Sequence, residues 1–230
     1  PTSLKAVRSL LDYLVVIGGN DRVSFARVLQ PEQFGSLASL DLDAGQVEHG
    51  TLRGMDTTSE RLVAWKSGAT YLINPSLSDL TPPFERTIVD NKRGTVNAFS
   101  TQTVNDMVFN AARDTVYLLA GRGYAQIGDA IKKDWDSLRT NFATVFDALK
   151  TFTHYQENSF GVIVNGRMLM ARYDRSSLPF WYEWALAAET PTAACSFEAS
   201  STPALFYVGT ASGKIGVQSS GTIQDFGTDR

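Results

Sequence analysis

Phe160-Gly-Val-Ile-Val164, Asn165-Gly166, Arg167-Met-Leu-Met-Ala-Arg-Tyr173 is the stretch that decides the fold. Two apolar runs flank an Asn-Gly pair, and both residues of that pair tolerate the left-handed backbone of a type I′ turn. The pattern reads as a β-hairpin. Four more pairs of short runs repeat it. Tyr13–Ile17 and Arg22–Val28 are separated by Gly18-Gly19-Asn20-Asp21, and Arg61–Trp65 and Ala69–Ile73 by Lys66-Ser67-Gly68. Asn105–Phe109 and Thr115–Leu119 flank a polar turn at Arg113-Asp114, with Gly123–Ile127 following. Ala204–Val208 and Lys214–Gln218 flank a turn over Thr210–Gly213.

These hairpins recur at a spacing of roughly 45 to 55 residues, close to the period of propeller blades. The expected fold is all-β, a β-propeller-like array of about five antiparallel blades forming a single domain over 1–230. One segment departs from the pattern. Ile131, Trp135 and Leu138 fall at helical spacing with charges between them, Asp129 is placed to cap, and the apolar rhythm runs on through Phe142, Val145 and Phe146. An amphipathic helix near 129–146 is expected, with Trp135 exposed on it. The connection from Asn74 to Thr95 contains Pro75, Pro82 and Pro83, which argue against regular structure there.

Composition narrows the class. With 43% hydrophobic and 11% aromatic residues the chain has ample material for a core, so disorder is excluded. A net charge of −3 leaves no electrostatic footprint for wrapping nucleic acid, although such a surface suits a conduit that DNA slides past. Cys195 is the only cysteine, which rules out an intrachain disulfide; it reads as a small buried residue of a protein made in a reducing compartment. The longest apolar run, Tyr13–Ile17, is too short to span a bilayer, and the N-terminal residues do not form a signal peptide. The first residue is Pro rather than Met, which points to processing or to a segment of a longer product.

Motifs of enzyme chemistry are weak. Gly121-Arg-Gly-Tyr-Ala-Gln-Ile-Gly128 places Gln126 where a dinucleotide fingerprint needs its third glycine. Gly209–Lys214 is one residue short of a phosphate loop, and Ile215 replaces the hydroxyl that holds magnesium. Both read as turns. His49 and His154 stand about a hundred residues apart, each without a second ligand nearby. The acidic pairs Asp41 and Asp43, and Asp134 and Asp136, read as solvated faces rather than as glycosidase carboxylates. No catalytic residue, cofactor or metal site is expected. The aromatic run Leu178-Pro-Phe-Trp-Tyr-Glu-Trp-Ala185 reads as a strand with Phe180, Tyr182 and Trp184 on one face and Trp181 with Glu183 on the other. Trp135 and Trp181 are the expected interface residues.

In order along the chain, several stretches resemble the β-propeller tail hub or DNA-stabilisation proteins of short-tailed bacteriophages and related neck and tail propellers. They are Val15–Phe25 leading to Gln30-Pro-Glu-Gln-Phe34, Arg61–Leu72, Gly94–Ser100, and the Met107 to Leu138 region. Arg172–Arg175 before the Trp-rich strand follows, and then Leu205–Ile215, ending in Phe226-Gly-Thr-Asp229. The resemblance covers nearly the whole chain through loosely shared β vocabulary. It implies a virion structural protein of the tail or neck, assembled in the host cytoplasm. It also implies a homo-oligomeric ring, a hexamer, that docks portal, adaptor and other tail proteins. Double-stranded DNA would pass through the lumen without sequence-specific binding, and no membrane would be involved. The chain departs from that pattern by starting directly at the first blade and stopping at Asp229-Arg230, where similar proteins continue. An alternative is a carbohydrate-binding or glycan-cleaving propeller with Trp181 or Trp184 as stacking platform. A host-type interaction propeller is weakened by the lack of a WD or kelch signature.

Overall fold

The computed structural model describes residues 6–11, 13–18, 22–27, 39–42, 49–76, 84–121, 123–173, 179–186, 188–197, 204–219, 222–225 and 228–229. Five antiparallel meanders hold most of them, each pairing its strands in chain order. The first contains β1 (Ala6–Leu10), β2 (Tyr13–Ile17), β3 (Arg22–Arg27) and β4 (Ser39–Asp41). The second contains β5 (Leu52–Thr57), β6 (Leu62–Lys66), β7 (Thr70–Pro75) and β8 (Phe84–Asp90). The third contains β9 (Thr101–Val104), β10 (Met107–Ala111), β11 (Val116–Ala120) and β12 (Gly123–Gln126). After the helices α1 (Lys132–Asn141) and α2 (Ala143–Phe146) comes the fourth, with β13 (Lys150–His154), β14 (Ser159–Val164), β15 (Arg167–Arg172) and β16 (Phe180–Trp184). The fifth contains β17 (Pro191–Phe197), β18 (Leu205–Thr210), β19 (Ile215–Ser219), β20 (Thr222–Asp225) and β21 (Thr228–Asp229). All five hairpins read from the sequence are present. The chain divides into two compact units, Pro1–Ala125 and Gln126–Arg230.

In the first unit β1, β5 and β9 stand side by side, so consecutive sheets pack face to face. The middle sheet is covered on both faces. Leu62 and Ala64 of β6, with Tyr71 and Ile73 of β7, share a core with Val15 and Phe25 of the first sheet. Val63, Trp65 and Leu72 share one with Val108 and Leu119 of the third. Successive strand residues point to opposite faces, and here both faces are dry, which is why Leu62-Val-Ala-Trp65 is uninterruptedly apolar. Leu62 and Val63 each contribute about 1.5–3 kcal/mol by leaving water.

Two boundaries differ from the sequence reading. Phe84–Asp90 is a strand despite the prolines ahead of it, and Phe84 stacks on Phe25 with ring centroids 4.3 Å apart. Pro75, also expected outside regular structure, is the last residue of β7 and lies opposite Phe84; β8 is the outermost strand of its sheet, where neighbouring prolines are tolerated. Pro82 and Pro83 themselves lie outside the described residues. Asn105 was expected to open a strand, but Asn105 and Asp106 are the turn joining β9 to β10, with φ of 49° and 61°. Asn and Asp accept that left-handed backbone more readily than other side chains. The Gly19–Asp21 part of the first hairpin turn, Gln30–Phe34, Asp43 and Phe226 also lie outside the described residues.

In the second unit Phe152, Met168 and Met170 of the fourth sheet pack with Phe206 and Val208 of the fifth. The Asn165-Gly166 turn has φ of 51° and 71°, as the hairpin reading required. Asn165→Val is expected to lower stability by roughly 1–2 kcal/mol, since a β-branched side chain resists that backbone. An unchanged urea midpoint would contradict this. The helical segment is less continuous than expected. A single 3-10 turn, Asp129–Ile131, precedes α1, and Phe142, with φ −135° and ψ 44°, separates α1 from α2. Asp129 does not cap: it lies inside the 3-10 turn, and its carboxylate instead accepts a hydrogen bond from the Gln126 amide. No helix among the described residues is long and apolar enough to cross a membrane.

Candidate docking surfaces

The two tryptophans expected at an interface are core residues, and that expectation is corrected. Trp135 is 0% exposed and meets Phe146 edge-on at 5.1 Å. Trp181 is buried, and its indole N–H donates to the Ile127 carbonyl at 2.7 Å. Arg167, bound to Glu183 by two hydrogen bonds of 2.9 and 2.7 Å, also lies 3.8 Å from Asp134 of α1. The helical segment therefore lies against the Trp181 face of the fourth sheet. Helical spacing identified the stripe Ile131, Trp135, Leu138 correctly; all three turn inward. Trp184 stacks on Phe206 at 5.5 Å and is half-buried, so neither tryptophan of this strand offers a free platform. Cys195, expected inside, is exposed. It sits on β17, whose alternate residues face outward.

Both histidines are held by neighbours. His49 Nδ1 is 2.7 Å from the Tyr71 hydroxyl. His154 is fully buried, stacked on Phe206 at 4.2 Å, with Nε2 2.8 Å from Gln218 Oε1. The described acidic residues of the sequence reading, Asp41, Asp134 and Asp136, face cations. Asp136 meets Lys132 at 2.7 Å and Arg139 at 3.1 Å, and the Lys132 hydrogen bond holds its carboxyl below the usual range. Asp41 lies 4.0 Å from Arg22.

Exposed rings gather instead at one end of the fourth and fifth sheets. Phe180 is 71% and Phe197 60% exposed, and Tyr155 is also exposed. A chain of contacts links them. Phe180 stacks on Tyr182 at 6.2 Å, and the Tyr182 hydroxyl donates to Glu157 at 2.8 Å. Two residues before Glu157, the Tyr155 amide donates to Ser196 Oγ at 3.2 Å, beside Phe197. Alternation along β16 had grouped Phe180 with Tyr182; it could not show that Phe180 stays uncovered.

The first unit carries a second feature, the loop from Asn91 to Ser100 between the second and third sheets. Its Thr95 amide donates to Lys66 O at 3.1 Å. The Thr95 hydroxyl donates to Asn110 Oδ1 at 2.7 Å and lies 2.6 Å from Ser100 Oγ. Asn110 Nδ2 donates to Gly94 O at 3.0 Å and to the Tyr124 hydroxyl at 2.7 Å. Arg93 lies over the Tyr117 ring at 5.0 Å and pairs with Asp90 at 2.8 Å. At the far end of β6 a cleft of about 220 Å3 opens between the Thr58–Arg61 turn, Asp106 and Gly121, with Val63, Leu72, Val108 and Leu119 as its floor.

Burial, reinforced by the Asp114 carboxylate and opposed by Arg93, pushes the Tyr117 phenol up to about 12, and burial raises Tyr124 as well. Both phenols are therefore harder to ionise folded than unfolded, where the ordinary value is about 10. The contribution of Tyr117 to stability is complete below pH about 10 and lost as pH rises toward about 12, and that of Tyr124 is lost in the same direction. An alkaline titration of tyrosinate absorbance should lag behind that of the urea-unfolded chain. Coincident curves would contradict the buried placement.

No known protein family and no curated protein matches this sequence. Solved structures do match its fold. The WD40 domain of SCAP from fission yeast is 10% identical with a TM-score of 0.53, covering 100% of this chain and 56% of that one. BamB from Moraxella catarrhalis is 13% identical with a TM-score of 0.53, covering 92% and 56%. PorZ, a surface component of the type-IX secretion system of Porphyromonas gingivalis, is 10% identical with a TM-score of 0.60, covering 97% and 28%. The chain thus spans less than two thirds of each. Together with the five meanders, these likenesses establish an all-β fold of the WD40 and β-propeller class.

Proposed function

We propose that this chain is a non-catalytic scaffold that associates with copies of itself and docks neighbouring proteins in a bacteriophage tail or neck, around the passage of the DNA. The phage setting rests on the sequence resemblance. The docking role rests on one observation: Tyr155, Phe180 and Phe197 stay in water together at one end of adjoining sheets, whereas the other exposed large apolar side chains described in that unit, Phe142, Val145 and Ile215, lie on the helical segment and at the start of β19. Large exposed apolar patches mark interaction sites, and aromatic rings dominate the energetics of interfaces. The contacts through Tyr182, Glu157 and Ser196 fix the strand ends that carry the rings, so little ordering is needed on binding.

The test is binding of the full chain to the portal, adaptor and tail proteins of the genome that encodes it, followed by light scattering. A complex is expected with one of them, and Phe180→Ala with Phe197→Ala should weaken it at least tenfold without changing the circular dichroism spectrum. A wild-type chain that binds none of them, but is retained on a glycan array through the same rings, would replace this reading with carbohydrate binding.

A further inference from the structure

We propose that copies of this chain pair head to tail, Phe99 of one copy entering the cleft at the far end of β6 in the next. The proposal deepens the self-association in the proposed function and rests on that reading. The knob is built to stay in place. Phe99 is 67% exposed, yet its own amide donates to Asn97 Oδ1 at 2.6 Å. The adjoining Ser100 is tied into the Thr95 and Asn110 network, and Arg53 donates to Val96 O at 3.0 Å. A ring presented on a fixed loop loses little freedom when it binds.

The hole fits it in size and position. A benzene ring needs about 150 Å3, and this cleft of about 220 Å3 has room for one ring between a polar rim, from Thr58 to Arg61 and at Asp106, and the buried side chains Val63, Leu72, Val108 and Leu119 beneath it. The loop reaches β6 at Lys66, whereas the cleft opens at the turn before Leu62. The five residues of β6 span about 16 Å. Knob and hole therefore lie at opposite ends of one strand and meet only between copies. Charge agrees with this pairing. Arg53 and Lys92 are exposed on the knob side, while Glu60 and Asp106 are exposed on the rim of the cleft. The one described cation of that rim, Arg61, is turned toward Gly121 O at 3.3 Å and Glu60 at 3.8 Å. A contact between unlike surfaces propagates, closing into a ring or extending as a stack.

Sedimentation of the full chain over a concentration series tests this, with two variants that each spoil one surface. Phe99→Glu removes the knob, and Ser59→Trp covers the mouth of the cleft from an exposed position. Each alone should associate roughly 10- to 100-fold more weakly than wild type, the factor that burying one phenylalanine supplies. Mixed, they should form one-to-one pairs that grow no further, because each retains one working surface. Wild-type assembly left intact by Phe99→Glu, or a mixture of folded variants that forms no pairs, would overturn the pairing while leaving the scaffold reading standing. A wild-type chain that stays monomeric and binds no tail protein would overturn both.

Discussion

Trp135→Ala is expected to destabilise the 126–230 unit by about 3–5 kcal/mol, the usual cost of removing a large ring from a packed core. The indole is wholly buried and edge-on to Phe146, which belongs to the short helix after the break at Phe142. Its loss leaves a cavity where α1 meets α2, and the segment between the third and fourth sheets loosens with it. Urea unfolding followed by tryptophan fluorescence measures the change, and the signal remains available because Trp65, Trp181 and Trp184 are untouched. A loss below about 1 kcal/mol, the range of surface substitutions, would mean that the ring faces water, as the sequence had suggested.

The second large effect is expected at Gly94. A Cβ there would stand 2.0 Å from Lys66 O and 2.4 Å from the Ser67 carbonyl carbon, both backbone atoms with no rotamer to yield. Gly94→Ala should therefore cost about 3 kcal/mol, the upper end of ordinary overpacking. The damage should centre on the Thr95 to Lys66 hydrogen bond and the Asn110 contact with Gly94 O. Hydrogen exchange at the Thr95 amide should accelerate before that of the strands. Because the same loop presents Phe99, this variant should also associate more weakly with itself. A stable Gly94→Ala chain with slow exchange at Thr95 would show that the loop is not clamped to the second sheet.

The architecture was legible because it depends on local chemistry. Asn165-Gly166 specifies a turn whatever surrounds it, and the apolar runs beside it are long enough for strands only. The outer strand β8 was missed because prolines precede it, a signal that cannot separate a loop from an edge. The docking surfaces were hardly legible. Ile131, Trp135 and Leu138 announce a face by their spacing, but which side that face meets depends on the Trp181 face of a sheet folded later in the chain. Phe180 and Phe99 look like ordinary core residues in sequence. They are exposed because of where the chain ends its strands and turns its loops, and no residue type encodes that. Asn97 two residues before Phe99 is the nearest local sign, since its side chain fixes the turn.

The most direct test is electron imaging of particles assembled from the genome that encodes this chain, with the chain marked by a bound antibody fragment. Density for several copies arranged about the tail or neck axis is the expected result. Particles carrying no label, with the chain left free as a folded monomer in the lysate, would contradict the account.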